Sequence, residues 1–251
     1  MRHVVVHPVH RQLEALQIQG QEVPGEQVVV GLGVRDVGER LDAGDDPAVP
    51  RMFDEKRGDS VLVAGGRQRI MIREPHKPPS RRSRGELVAD FLTGNQSIAE
   101  YFTQVGRRSV DYAGFNLLLG TADQLWHFNS RDLAPQPLSA GIYGVSNGGL
   151  DTPWPKLLKA KAALAEVLDN PQPQALLALL KDAQTAPFSE LPDTGVGLAT
   201  ESLLSSVFIA SPSYGTRAST ALIVNADGSR VMVEHSFGPH GGRLGEVRIE
   251  A

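Results

Sequence analysis

Two pairs of short apolar runs, each closed by a tight turn, limit what this chain can fold into more than any other feature. Ala221 to Asn225 and Arg230 to His235 flank Ala226-Asp227-Gly228-Ser229, a pattern that predicts a β-hairpin. Phe115 to Leu119 and Gln124 to Asn129 flank Gly120-Thr121-Ala122-Asp123 in the same way. Helical signals surround them. Ser83 and Glu86 have capping-box spacing ahead of Leu87, Val88, Phe91 and Leu92, and Ser97 and Glu100 repeat the device ahead of Tyr101, Phe102 and Val105. Thr152 with Pro153 predicts a helix start that presents Leu157, Ala160, Leu164 and Val167 on one face. A second helix is predicted over Gln174 to Asp182, and short strands over Ile142 to Ser146 and Val207 to Ala210. Locally paired strands with helices between them predict antiparallel sheets in an α+β layered fold. No internal repeat is present.

Residues 1–70 read differently. Val28-Val29-Val30 and Ser60-Val61-Leu62-Val63 predict short strands, while Asp42 to Pro50 reads as a loop. Arg67 to Arg84 carries seven basic residues against one acid, with Pro75, Pro78 and Pro79 among them. That run reads as a solvated linker. Across all 251 residues the formal net charge is -4, so no global field recruits nucleic acid or anionic lipid. There is no cysteine, which excludes disulfides, thiolate metal sites and a cysteine nucleophile in these residues. No stretch approaches the roughly 20 apolar residues of a membrane span. The first residues also lack the apolar core of a secretory signal. The cytoplasm is the expected location.

Several short patterns mimic sites. His3, His7 and His10 suggest a metal centre, but Pro8 interrupts a helix that would align them and no acid completes the set, so no metal is assigned. Gly31-Leu32-Gly33-Val34-Arg35-Asp36 imitates the start of a dinucleotide fingerprint, with Asp36 where the third glycine belongs. Gly144-Val145-Ser146-Asn147-Gly148 fits G-x-S-x-G, and Asp193 and His235 follow in hydrolase order. Gly149, Asp151 and Pro153 nonetheless predict a turn where a nucleophile elbow needs a helix. Tyr214-Gly215-Thr216-Arg217-Ala218-Ser219-Thr220 reads as a loop between strands. There Tyr214, Thr216, Arg217 and Ser219 can bind a ligand, with Arg217 gripping a carboxylate or phosphate. The same arginine can equally serve the structure by binding backbone carbonyls.

Four segments taken together resemble one family. They are Ser83-Arg84-Gly85-Glu86-Leu87-Val88, Gly141-Ile142-Tyr143-Gly144-Val145-Ser146-Asn147, Leu150-Asp151-Thr152-Pro153-Trp154-Pro155-Lys156 and Tyr214-Gly215-Thr216-Arg217-Ala218-Ser219-Thr220, with Leu191-Pro192-Asp193-Thr194-Gly195-Val196-Gly197 in order between them. Over about residues 72–250 the chain resembles the NRDE family, also called the transport and Golgi organisation protein 2 family. The resemblance implies an N-terminal-nucleophile-hydrolase-like αββα sandwich. It implies that Asn147 donates to an oxyanion and Arg217 orients a ligand. Relatives are associated with haem mobilisation and with secretory-pathway organisation, so it implies a binding or trafficking role with haem as a possible ligand. The residues themselves show no evident cofactor, and His127 and His235 read as ordinary members of hairpin strands.

The resemblance also marks a departure. Family members begin Met-Cys and carry Asn-Arg-Asp-Glu, whereas position 2 is Arg2 and the nearest fragment is Arg35-Asp36. Likeness stops at about residue 71. The expectation is therefore an atypical, possibly mistranslated segment over 1–71 ahead of an NRDE-like domain over 72–251. Its sandwich would be incomplete at the N-terminus and its sheet edges short of partners. An amide hydrolase is the alternative reading for full-length relatives, whose nucleophile is absent here, and a serine hydrolase using Ser146 is a third.

Overall fold

A computed structural model describes residues 81–120, 124–146, 148–212, 214–225 and 227–251 in full, together with the backbone of four strands that precede them. Those strands are β1 (His3–Val6), β2 (Leu16–Gln17), β3 (Gln27–Asp36) and β4 (Leu62–Ala64).

Helix α1 (Gly85–Thr93) begins after Arg84, one residue later than a box on Ser83 requires. Ser83 Oγ accepts from Gly85 N–H, and Glu86 reaches back to Ser83 N–H. Helix α2 (Ile98–Arg108) has the full capping box: Ser97 Oγ accepts from Glu100 N–H at 3.3 Å and Glu100 Oε2 accepts from Ser97 N–H at 2.8 Å. The first predicted hairpin follows as β5 (Asn116–Gly120) and β6 (Leu125–Asn129), then β7 (Gln136–Leu138) and β8 (Gly141–Gly144). Helix α3 (Pro155–Val167) starts two residues beyond the expected place. Thr152 spends its hydroxyl on Gly149 O inside the preceding turn, so Trp154 becomes the cap and Pro155 takes the first helical position. Helices α4 (Pro173–Leu179) and α5 (Leu198–Leu204) complete the helical set.

The second predicted hairpin is β9 (Tyr214–Val224) and β10 (Arg230–Phe237), with β11 (Arg243–Glu250) beyond it. Two corrections belong here. Residues 214–220 are the first part of β9 and not a loop, since they run along β3 and, from Ala218 onward, pair with β10 as well. Val207 to Ala210 forms no strand of its own. It is held by one bridge, Ala210 to Gly215, and by Phe208 N–H donating to Asp182 O.

A seven-stranded sheet runs β11-β10-β9-β3-β1-β8-β2 and a four-stranded sheet runs β4-β5-β6-β7. The edges expected to lack partners are occupied: β9 carries β3 from Gln27↔Val224 to Asp36↔Tyr214, β8 carries β1, and β5 carries β4. Gly31 and Gly33 lie inside β3, paired with Thr220 and Ala218, and not at the strand-to-helix turn that a dinucleotide fingerprint needs.

Strand alternation sorts the apolar residues into three layers. Leu117, Leu119 and Phe128 face α1 and α2, where Phe91, Tyr101, Phe102 and Val105 cover them. Ala221, Ile223 and Val233 face α3 and α4, under Leu157, Leu164, Leu176 and Leu177. Between the sheets Leu118, Leu125 and Leu138 meet Leu222, Val224 and Met232. Each fully buried side chain of this size contributes about 1.5–3 kcal/mol. The protein is thus a mixed α+β fold in which two sheets share an apolar seam and each has helices on its outer face.

Candidate functional site

The seam between the sheets is apolar except at one end, where β5 and β6 place three polar side chains on the inward face. Asn116 and Asn129 are register partners, and His127 sits opposite Leu118. All three are buried. Asn116 is the hub: its Nδ2 donates to Gly148 O at 2.9 Å, and its Oδ1 accepts from Asn129 Nδ2 at 2.8 Å and contacts His127 Nε2 at 2.9 Å. Asn129 Oδ1 in turn accepts from Arg131 N–H at 2.7 Å.

These bonds fix orientation along the chain. A backbone N–H can only donate, so Arg131 makes Asn129 Oδ1 an acceptor and its Nδ2 a donor. Gly148 O can only accept, which sets Asn116 Nδ2 toward it and leaves Asn116 Oδ1 facing His127. His127 Nε2 must then carry the proton, and Nδ1 is the bare lone pair. Burial pushes the imidazole down to about 4 from its usual 6.5, so the ring is neutral at physiological pH. The unfolded imidazole keeps the higher value, so between the two the unfolded state binds more protons. Stability present above pH 6.5 is lost as pH falls to about 4. That loss is expected to reach about 3 kcal/mol, read from urea midpoints across that range. His127→Gln should flatten the dependence, and an unchanged pH profile in that variant would remove His127 as its source.

The turn receiving Asn116 is itself clamped. Asp151 Oδ1 accepts from Gly144 N–H at 2.6 Å and from Lys161 Nζ at 2.7 Å, while Asp151 N–H donates back to Gly144 O at 2.5 Å. Asp151 adopts φ 55°, a left-handed conformation that aspartate tolerates better than most residues. Two glycines are required by close approach. A Cβ on Gly144 would lie 2.8 Å from Leu157 Cγ, and one on Gly148 would lie 2.6 Å from Thr152 Oγ1. Gly148, Gly149 and Leu150 are half-buried, so solvent reaches the network at this end.

The residues singled out by sequence are placed as follows. Asn147 lies outside the described residues, although Ser146 and Gly148 on either side stand at the end of the network. Ser146 is buried, and the chain continues as a turn until α3 begins at Pro155, so no nucleophile elbow forms around it. Asp193 Oδ1 accepts from Gly195 N–H, and His235 pairs with Glu246 at 2.9 Å, so neither assembles with Ser146 as a triad. Tyr214, Thr216, Arg217 and Ser219 all lie on β9. Tyr214 N–H donates to Ser211 Oγ, Thr216 Oγ1 accepts from Ile209 N–H at 2.9 Å, and Arg217 Nη1 donates to Phe237 O at 3.0 Å. Ser219 is buried on the face toward α3 and α4, directly opposite His235. The bonds Thr216 and Arg217 make here go to backbone groups.

Asn116, His127 and Asn129 escaped the sequence reading as a group. The signal was available: polar residues at facing positions on the inward side of an apolar hairpin need partners.

Comparison with known proteins falls on the same region. A family model described as Transport and Golgi organisation 2 matches residues 68–239. The Transport and Golgi organization protein 2 homolog of Homo sapiens is 34% identical over 181 residues and that of Bos taurus 32% identical over 180 residues. The Transport and Golgi organization 2 homolog of Mus musculus is 30% identical over 181 residues. Each alignment covers 65% of this chain, and the chain spans 65% of the length of each of these relatives. The matched span contains the whole polar network and its turn.

Proposed function

Because the chain belongs to the Transport and Golgi organisation 2 family, we propose that it binds and hands on a small organic molecule, in a transport role like that in its relatives' names. The ligand meets the protein at the end of the inter-sheet seam. One observation carries this reading: a polar network with fixed orientations is buried where an apolar seam would serve stability better. Asn116 and Asn129 each use one of two amide N–H groups in that network, and His127 Nδ1 is an acceptor. Two donors beside one acceptor complement a secondary amide, whose C=O accepts and whose N–H donates. We read the four layers as the N-terminal-nucleophile-hydrolase-like αββα sandwich that the family resemblance implies. The apolar seam with helices on both outer faces supports that reading.

Amide recognition also fits the hydrolase alternative, but these 251 residues contain no cysteine to attack the carbonyl. Haem, the other ligand the resemblance implies, fits the described residues poorly. His127 and His235 are buried, with Nε2 engaged by Asn116 and Glu246 respectively, so only a buried Nδ1 on each ring is left to meet an iron that needs an open face. The test is calorimetric titration with N-acetylated amino acid amides and, separately, with haem. Saturable amide binding weakened about tenfold or more in His127→Ala is expected, a difference of about 1.4 kcal/mol. Equal amide affinity in both proteins overturns the site. A stoichiometric Soret shift lost in His127→Ala would replace the amide by haem.

A further inference from the structure

The open flank of β11 carries an inference independent of the ligand site. This strand ends the seven-stranded sheet, pairs only with β10 among the described residues, and has every residue exposed except Ile249. Leu244 is 65% and Val247 42% exposed. Its eight residues include neither the lysine nor the proline that commonly blunt an edge.

The hydrogen-bond pattern fixes what can add there. Arg230 and Ala251 exchange both backbone bonds, Arg230 N–H to Ala251 O at 2.7 Å and Ala251 N–H to Arg230 O at 3.1 Å. In an antiparallel ladder such pairs alternate with non-bonded pairs, and the register from Val231↔Glu250 to His235↔Glu246 is unbroken. Val247 and Ile249 therefore bond to β10, whereas Glu246, Arg248 and Glu250 turn their N–H and C=O groups to the open edge. An added antiparallel copy of the strand can exchange bonds only where these outward residues face each other. A two-fold axis through Glu246 or Arg248 sets like charges opposite one another, which is unfavourable. An axis through Val247 sets Glu246 opposite Arg248 of the second copy, twice. An axis through Ile249 also matches charge but shortens the overlap.

We propose that two copies of this chain pair antiparallel along β11, about a two-fold axis at Val247, joining their seven-stranded sheets into one. The axis puts Val247 opposite itself in a non-bonded pair, with Cα atoms about 4.5 Å apart, inside the span of a disulfide. Since the chain has no cysteine, Val247→Cys introduces its sole thiol at an exposed position. Light scattering of the wild type at roughly 100 μM, where a micromolar complex is mostly formed, is expected to give the dimer mass. Mild oxidation is expected to cross-link Val247→Cys and leave Leu244→Cys largely without a covalent link. Arg248→Glu should shift the wild type toward monomer, and Glu246→Lys combined with Arg248→Glu should restore the dimer. A monomeric wild type at that concentration, or equal cross-linking of both cysteine variants, overturns the proposal.

Discussion

Asn116→Ala is expected to lower stability by about 4 kcal/mol. The deletion breaks three bonds together and leaves His127 Nε2–H, one Asn129 amide proton and Gly148 O without their partners in a buried setting. A stranded buried polar group costs about 1–3 kcal/mol, and partial access to solvent near Gly148 keeps the sum below three full penalties. Denaturant unfolding of wild type and variant reads the difference directly. The companion replacement Asn116→Asp keeps the bonds to His127 and Asn129 but turns an amide donor toward Gly148 O into an acceptor. It should therefore also destabilise, and most at neutral pH. A loss below about 1 kcal/mol for Asn116→Ala, the worth of one ordinary hydrogen bond, would mean that the three groups are not coupled through this side chain.

The second large effect belongs to the apolar layer that holds the network's strand in place. Phe128 is fully buried, and its ring lies 5.5 Å from Phe102 and 5.9 Å from Phe115. It alternates along β6 with His127 and Asn129, so Phe128 faces the α1–α2 layer while its neighbours face the seam. Phe128→Ala is expected to cost about 3–5 kcal/mol, from lost transfer free energy and the cavity left behind. Phe128→Leu fills most of that space and should cost much less. Because the strand is shared, Phe128→Ala should also loosen the Asn116–Asn129 pairing. Faster amide exchange at Leu117 and His127 than at Val233 in the other sheet would show it. Uniform acceleration across both sheets would instead mean global unfolding.

The sequence was most informative where a local rule and the tertiary environment agree. Ser97 and Glu100 form the box their spacing predicts, and the Ala221–His235 hairpin lies where its turn residues place it. It misled where a residue had two available uses. Thr152 is a good cap by type, but the turn at Gly149 takes its hydroxyl, and Trp154, a poor cap with Pro155 behind it, starts α3. Residues 214–220 have the polar composition of a loop, yet they pair with β3 and from Ala218 onward with β10 too, because burial and ladder bonds outweigh weak intrinsic preference. The early valine runs read correctly as strands, while their partners, 197 residues distant for Gln27 and Val224, have no local signature.

The site was the least legible part. Gly144 to Asp151 attracted notice for the letters of a serine motif, whereas the structure gives it a different job: a clamped turn that accepts a bond from Asn116. Asn116, His127 and Asn129 are 13 residues apart at most, but only the hairpin register puts them on one inward face. Arg217, for which the sequence left a ligand role and a backbone role open, donates to Phe237 O. Asn147, the residue the family resemblance favours, is adjacent to the network in sequence, which makes it the natural next position to substitute.

The account turns on the protonation and surroundings of a single ring. A long-range proton–nitrogen spectrum of the histidine side chains at pH 6, taken with and without an N-acetylated amino acid amide, reports both. The expected result is a neutral His127 with its proton on Nε2 and a bare Nδ1 whose resonance moves when the amide is added. A His127 that is charged at pH 6, or protonated on Nδ1, or unmoved by saturating amide, would contradict the assignment of this network as the binding site.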